Sequence, residues 1–89
     1  MSLFTKDYYK DIKKDRTNWP INKIYKWYMT LPKRYRNEWL SYYGTIGQIR
    51  DLHEKYGLLF GFDDRLHIIE LDSTEKAEEL GIEVMEWSH

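Results

Sequence analysis

The sequence contains no cysteine, which excludes disulfides, thiol catalysis and zinc sites with cysteine ligands. Small secreted domains often depend on disulfides, so this absence favours a reducing, cytoplasmic location. No apolar stretch near residue 1 resembles a signal peptide. The longest apolar run, around "GLLFGF", is far shorter than the roughly 20 residues that a membrane-spanning helix needs. We therefore expect a cytoplasmic protein that does not associate with membranes.

Residues that carry catalytic chemistry are also scarce. The five glycines form no phosphate-binding loop, and no GxSxG nucleophile motif occurs. The three histidines share no spacing typical of metal ligands. Asp63, Asp64 and Glu70 flank a predicted hairpin, which leaves a metal-dependent nuclease as one alternative. The sequence nevertheless favours a non-enzymatic protein with no cofactor and no metal.

Aromatic and charged residues are plentiful, but the charges are unevenly placed. Aromatic residues make up 17% of the 89 residues, enough bulk for one core in a single domain spanning 1–89. Residues 1–57 carry twelve basic and six acidic side chains, a net charge of +6, whereas 58–89 carry two basic and nine acidic ones, a net charge of −7. This separation favours a charged partner. Alternatively, the halves neutralise each other within one fold or across a homodimer.

Four helices are predicted in the basic part, at about 6–16, 20–29, 32–43 and 45–56. Thr5 and Thr45 are suited to cap the first and fourth, while Pro20 and Pro32 suit the first turns of the second and third. Apolar residues recur at helical spacing, which predicts the faces that enter the core. The predicted inward residues are Ile21, Ile24, Tyr25 and Tyr28, then Tyr35, Trp39, Tyr42 and Tyr43, and finally Ile46, Ile49, Leu52 and Tyr56.

The acidic part changes to the period of β-strands. Residues 58–62 and 65–71 predict a hairpin with a turn at "DD". "DSTEKAEELG" carries a capping signature and predicts a short helix that ends at Gly81. "IEVMEW" alternates and predicts a last strand. We therefore predict an α+β fold in which an N-terminal four-helix portion packs on a small C-terminal three-stranded sheet.

The stretch "KIYKWYMTLPKRYRNEWLSYY", residues 23–43, interleaves rings with cations. Helical spacing assigns most of these rings to the core, but Trp27 lies about 200° around the helix from Tyr25. An outward tryptophan among cations is a frequent binding hot spot. A helix packed between two others would bury Trp27 instead. The predicted binding surface, for protein or nucleic acid, comprises Lys23, Lys26, Trp27, Lys33, Arg34 and Arg36.

The acidic residues of the C-terminal part form a second predicted surface. They belong to a turn and to an exposed helix face, where charged side chains are simply solvated. A functional alternative is that they dock on a basic partner or copy the charge of a nucleic acid. The residues concerned are Asp63, Asp64, Glu75, Glu78 and Glu79.

Helix, Gly44, helix and hairpin follow one another in "KRYRNEWLSYYGTIGQIRDLHEKYGLLFGFDDRLHIIEL", residues 33–71. In layout this order resembles the winged helix-turn-helix family, over less than half of the chain. The resemblance implies DNA binding through the helix at 45–56, with the hairpin at 58–71 as the wing. It also implies that four side chains face the major groove, namely Thr45, Gln48, Arg50 and His53.

The function that the sequence favours is that of a small interaction protein. Such a protein would dock on another macromolecule through a charged surface, as inhibitors, immunity proteins and phage-encoded blocking proteins do. A protein partner is favoured over nucleic acid. The winged-helix DNA-binding protein is the alternative.

Overall fold

The computed structural model describes residues 7–87, which form five helices and three strands. The helices are α1 (Tyr8–Ile12), α2 (Ile21–Tyr28), α3 (Lys33–Tyr42), α4 (Ile46–Tyr56) and α5 (Thr74–Leu80). The strands are β1 (Leu59–Phe62), β2 (Ile68–Leu71) and β3 (Glu83–Val84). They form one antiparallel sheet in the order β2-β1-β3. The helices precede most of the sheet, so the predicted α+β class is confirmed.

Helix α1 is shorter than the predicted 6–16. The proposed cap Thr5 lies outside the described residues, and Asp7 caps the helix by accepting a hydrogen bond from the Lys10 amide. After Ile12 the chain leaves the helix, and the Arg16 guanidinium turns back to donate to the Asp11 carbonyl. The Asp11 carbonyl also accepts from the Lys14 amide over 3.1 Å, so a turn of the backbone and a side chain together satisfy this helix-end carbonyl.

The boundaries of the other helices follow local signals. Pro20 and Pro32 directly precede the first residues of α2 and α3, with extended backbones. Thr45 and Gln48 form a reciprocal capping box at the start of α4. Helices α4 and α5 end at Gly57 and Gly81, whose φ angles of 72° and 70° suit glycine.

The core lies between the helices and β1, and most of its members come from predicted stripes. Two expectations are wrong, because Tyr42 is 57% exposed and Ile46 is 61% exposed. On α3 the neighbouring Leu40 is buried instead, and on α4 the buried position near the N-terminus is taken by Gln48. The buried cluster comprises Ile12, Ile24, Tyr28, Leu31, Trp39, Leu40, Ile49, Leu52 and Phe60.

Helix α3 covers the outer edge of β2 and fixes the acidic half of the chain on the basic half. The Glu70 amide donates to Asn37 Oδ1 over 2.9 Å, and Ser41 Oγ donates to the Ile68 carbonyl over 3.0 Å. Backbone groups on a sheet edge are thereby paired with side chains of a helix, which blocks this edge from pairing with another strand.

Gly61 lies in the central strand, where a side chain would have no room. A Cβ atom there would stand 2.6 Å from the Glu83 carbonyl oxygen and 2.8 Å from Leu71 Cδ1. We expect Gly61→Ala to lower the free energy of unfolding by about 2 kcal/mol, because β1 and β3 must separate. Urea unfolding measures this loss. Gly47→Ala is the control, since nothing lies within 4 Å there, and a loss of similar size in both variants would contradict the prediction.

Candidate functional site

Trp27 is half-buried and held by three neighbours. Its Nε1 donates to Asp11 Oδ2 over 2.9 Å, and the guanidinium carbon of Arg16 lies 3.8 Å from its ring centroid. The ring meets the buried Trp39 edge-on, with 5.5 Å between centroids. Of the two interpretations of Trp27, the structure supports packing between neighbouring segments.

Arg16 is the buried cation on which these rings pack. It is buried, its Nη2 lies 2.7 Å from Asp11 Oδ1, and its carbonyl accepts from Gln48 Nε2 over 2.8 Å. The guanidinium also lies 4.9 Å from the Trp19 ring. The cation–π contacts and the ion pair offset the loss of hydration of this charge. Arg16 therefore joins α1, α2 and α4, and serves the fold.

Two of the remaining basic side chains in the predicted surface rest on rings. Lys23 Nζ lies 4.0 Å from the Trp19 ring centroid, and the Arg34 guanidinium lies 5.1 Å from that of Tyr35. Lys26 is exposed on α2. The interleaving of rings and cations in residues 23–43 is therefore largely used in contacts within the protein.

Arg36 and Lys33 are paired with the acidic half. Arg36 Nη1 lies 3.3 Å from both Glu70 carboxylate oxygens, and Lys33 Nζ lies 3.2 Å from Asp72 Oδ1. The Tyr28 hydroxyl donates to Glu70 Oε1 over 2.6 Å. Burial, and then this hydrogen bond, raise the pKa of Tyr28 far above its usual value. Lys33 and Arg36 thus face the acidic half and not the other residues of the predicted basic surface. Their ion pairs neutralise part of the charge difference between residues 1–57 and 58–89.

The side chains that the winged-helix resemblance assigns to DNA are mostly engaged inside the protein. Thr45 and the buried Gln48 complete the capping box. His53 Nδ1 lies 2.8 Å from the Leu58 carbonyl, and its ring stacks on Trp87. Arg50 is exposed, with Nε 3.7 Å from Asp51 Oδ1. These four side chains do not form one free surface that could read bases.

Asp63 has a structural role in the hairpin turn. Its Oδ1 accepts from the amides of Arg65 and His67, each over 2.9 Å. The Nε2 atom of His67 in turn lies 3.1 Å from the Tyr42 hydroxyl oxygen. Asp63 therefore closes the loop between β1 and β2, as aspartate commonly does in turns.

The other predicted acidic residues remain exposed, and Glu83 joins them. Among residues 7–87, none of these side chains forms an ion pair. We call this set the α5 acidic surface; it comprises Asp64, Glu75, Glu78, Glu79 and Glu83.

An open groove of about 560 Å³ lies beside this surface, between the hairpin turn and the end of α5. Leu66 and Leu80 are exposed there, by 75% and 62%. Neither leucine belongs to the surfaces predicted from the sequence, although an apolar residue in a polar turn and one directly before a terminating glycine are signals of exposed apolar side chains. We call this the hairpin groove, and its lining is Phe62, Asp63, Asp64, Leu66, Leu80, Gly81, Ile82 and Glu83.

Between residues 7 and 87, no helix is long and apolar enough to cross a bilayer. The same residues contain no group of three or more histidine, aspartate or glutamate side chains placed to hold a metal ion. Comparison with protein-family models, with curated proteins and with solved structures finds no match to this chain.

Proposed function

We propose that this chain is a small non-enzymatic interaction protein that docks on a basic protein partner through the α5 acidic surface. Inhibitors, immunity proteins and phage-encoded blocking proteins act by such docking. The lack of cysteine fits the cytoplasm as the compartment.

The observation that carries this proposal is the placing of three glutamates on α5. Glu75, Glu78 and Glu79 lie at spacings of three and four residues, so they share one helix face. All three are exposed. Like charges at these spacings destabilise a helix by about 0.2–0.5 kcal/mol per pair. Glu75 benefits from the helix dipole in the first turn of α5, but the mutual repulsion of the three carboxylates remains, and a basic partner would remove it.

The distribution of ion pairs points to the same surface. Glu70 and Asp72, which face α3, are paired with Arg36 and Lys33. The α5 acidic surface has no such pairing within the described residues, and α5 itself carries a single cation, Lys76. The negative charge that the fold leaves over is therefore concentrated around α5, where it attracts cations and repels phosphates. This favours a basic protein over a nucleic acid as the partner.

Capture of partners from a lysate of the source organism tests the proposal with matched charge variants. The triple variant Glu75→Lys, Glu78→Lys, Glu79→Lys reverses the α5 face. We expect it to lose at least about 90% of the partner that the unaltered protein captures, because complementary charge steers association. Mass spectrometry of the retained proteins, with and without nuclease treatment, measures this.

The control variant reverses cations of the other predicted surface, Lys26→Glu with Arg34→Glu. It should retain the partner, and nuclease should release nothing. Loss of the partner from the control alone would overturn the proposal in favour of the basic surface. Release by nuclease would overturn it in favour of nucleic acid.

A further inference from the structure

Leu66 combines a left-handed backbone with an exposed side chain. Its φ angle of 64° is left-handed, and it is the only residue other than glycine with a positive φ between residues 7 and 87. Leucine is strained in that conformation, which glycine and asparagine adopt far more easily. The side chain is also 75% exposed, so it gains little from the core. The hairpin turn fixes this backbone, since the Leu66 amide donates to the Asp63 carbonyl and the Asp63 amide donates to the His67 carbonyl. Leucine at this exposed position, where glycine or asparagine would fit the turn better, points to a use outside the fold.

Leu80 borders the same groove. It is the last residue of α5 and is 62% exposed. Between the two leucines the lining includes Phe62 and Ile82, both half-buried. Four apolar side chains, those of Phe62, Leu66, Leu80 and Ile82, therefore line the open hairpin groove, and we call this part of its lining the apolar slot.

Acidic side chains border this slot. Asp64 and Glu83 line the groove, are exposed, and form no ion pair with other described residues. An apolar slot with negative borders is complementary to a large apolar side chain that has lysine or arginine beside it. A nucleic acid would bring phosphates to the same carboxylates and be repelled.

We propose that the hairpin groove receives one large apolar side chain from a basic segment of the partner protein, held between Leu66 and Leu80. This inference rests on the proposed function and adds its specificity: the α5 acidic surface attracts the segment, and the slot selects the residue that anchors it. Apolar anchors in pockets commonly dominate the energetics of such interfaces.

Two fluorescein-labelled synthetic peptides test the inference. Both are lysine-rich, and they differ only at a central position that is phenylalanine in one and serine in the other. We expect the unaltered protein to bind the phenylalanine peptide about tenfold more tightly, because one large apolar side chain leaves water. Fluorescence anisotropy measures both dissociation constants. Equal affinities for the two peptides would overturn the inference.

Variants of groove residues show which side chains cause the preference for the phenylalanine peptide over the serine peptide. Leu66→Asn introduces a residue that tolerates the left-handed backbone, and Leu80→Gln introduces another good helix former, so both variants should fold. Each should reduce the tenfold preference to less than about threefold. Ile46→Gln removes an equally exposed apolar side chain that does not line the groove, and it should keep the full preference. Unchanged discrimination in both leucine variants would overturn the inference.

The same measurements separate this inference from the proposed function. The α5 triple variant should weaken binding of both peptides by a similar factor. If it does so while phenylalanine and serine bind equally, the slot is refuted and the acidic docking surface stands. If neither peptide binds even at low salt, both are refuted. Association of the protein with itself in sedimentation, abolished by Leu66→Asn, would assign the slot to a second copy and also overturn the inference.

Discussion

Replacing Trp27 by alanine should lower the free energy of unfolding by about 3 kcal/mol. The ring packs on Arg16 and meets Trp39 edge-on, and its Nε1 donates to Asp11. Removing the indole leaves a cavity, and the buried Arg16 guanidinium loses the aromatic face on which it packs. Urea unfolding followed by far-ultraviolet circular dichroism measures the loss without depending on tryptophan fluorescence.

Two matched variants separate the parts of this effect. Trp27→Phe keeps a ring over Arg16 but loses the hydrogen bond to Asp11, so it should cost about 1 kcal/mol. Lys26→Ala changes the preceding, exposed residue of α2 and should alter stability by less than about 0.5 kcal/mol. If Trp27→Ala unfolds at the same urea concentration as the unaltered protein, the ring is not a packing residue.

Trp27 also shows where sequence reasoning reaches its limit. It lies about 200° around the helix from Tyr25, but it follows the fully buried Ile24 by three residues and therefore borders that stripe and reaches the core. What covers the rest of its ring depends on Arg16, eleven residues earlier, folding back across an irregular segment. No local residue spacing encodes this fold-back of the chain, so helical periodicity alone could not decide whether the Trp27 ring is exposed.

Features set by neighbouring residues could be predicted well. The proline-led starts of α2 and α3 and the glycine ends of α4 and α5 depend on backbone preferences within a few residues. The role of Gln48 was equally readable, because it stands three residues after Thr45, the spacing of a capping box. The winged-helix resemblance assigns Gln48 to DNA, whereas this local spacing assigns it to the helix cap.

The charge separation along the chain illustrates the opposite case. Lys33 pairs with Asp72 and Arg36 with Glu70, across sequence separations of 39 and 34 residues. Those pairs could be specified only once α3 had been placed beside β2. The acidic residues of α5 stay exposed because their helix face meets no basic segment within residues 7–87. The proposed docking surface is thus the set of acidic side chains left without a partner in the described part of the chain after long-range pairing, and composition alone does not identify those residues.

Removing the carboxylate of Glu70 should be as damaging as removing Trp27. Glu70 accepts from the Tyr28 hydroxyl and pairs with Arg36, and both charged side chains are mostly buried. Arg36 also donates to the carbonyls of Leu31 and Met29, so it cannot swing into water without breaking those bonds. Glu70→Ala therefore strands a cation and a buried hydroxyl, at a cost of about 3 kcal/mol.

The second ion pair between the two halves is the natural control, because it differs mainly in exposure. Lys33 and Asp72 are both largely exposed, and Asp72→Ala should cost less than about 1 kcal/mol in the same urea experiment. Glu70→Gln keeps the shape and one acceptor for Tyr28 and should lie between the two. Adding Arg36→Met to Glu70→Ala should cost less than the sum of the single changes, since the stranded cation is gone. Equal losses in Glu70→Ala and Asp72→Ala would show that burial does not set the strength of these pairs.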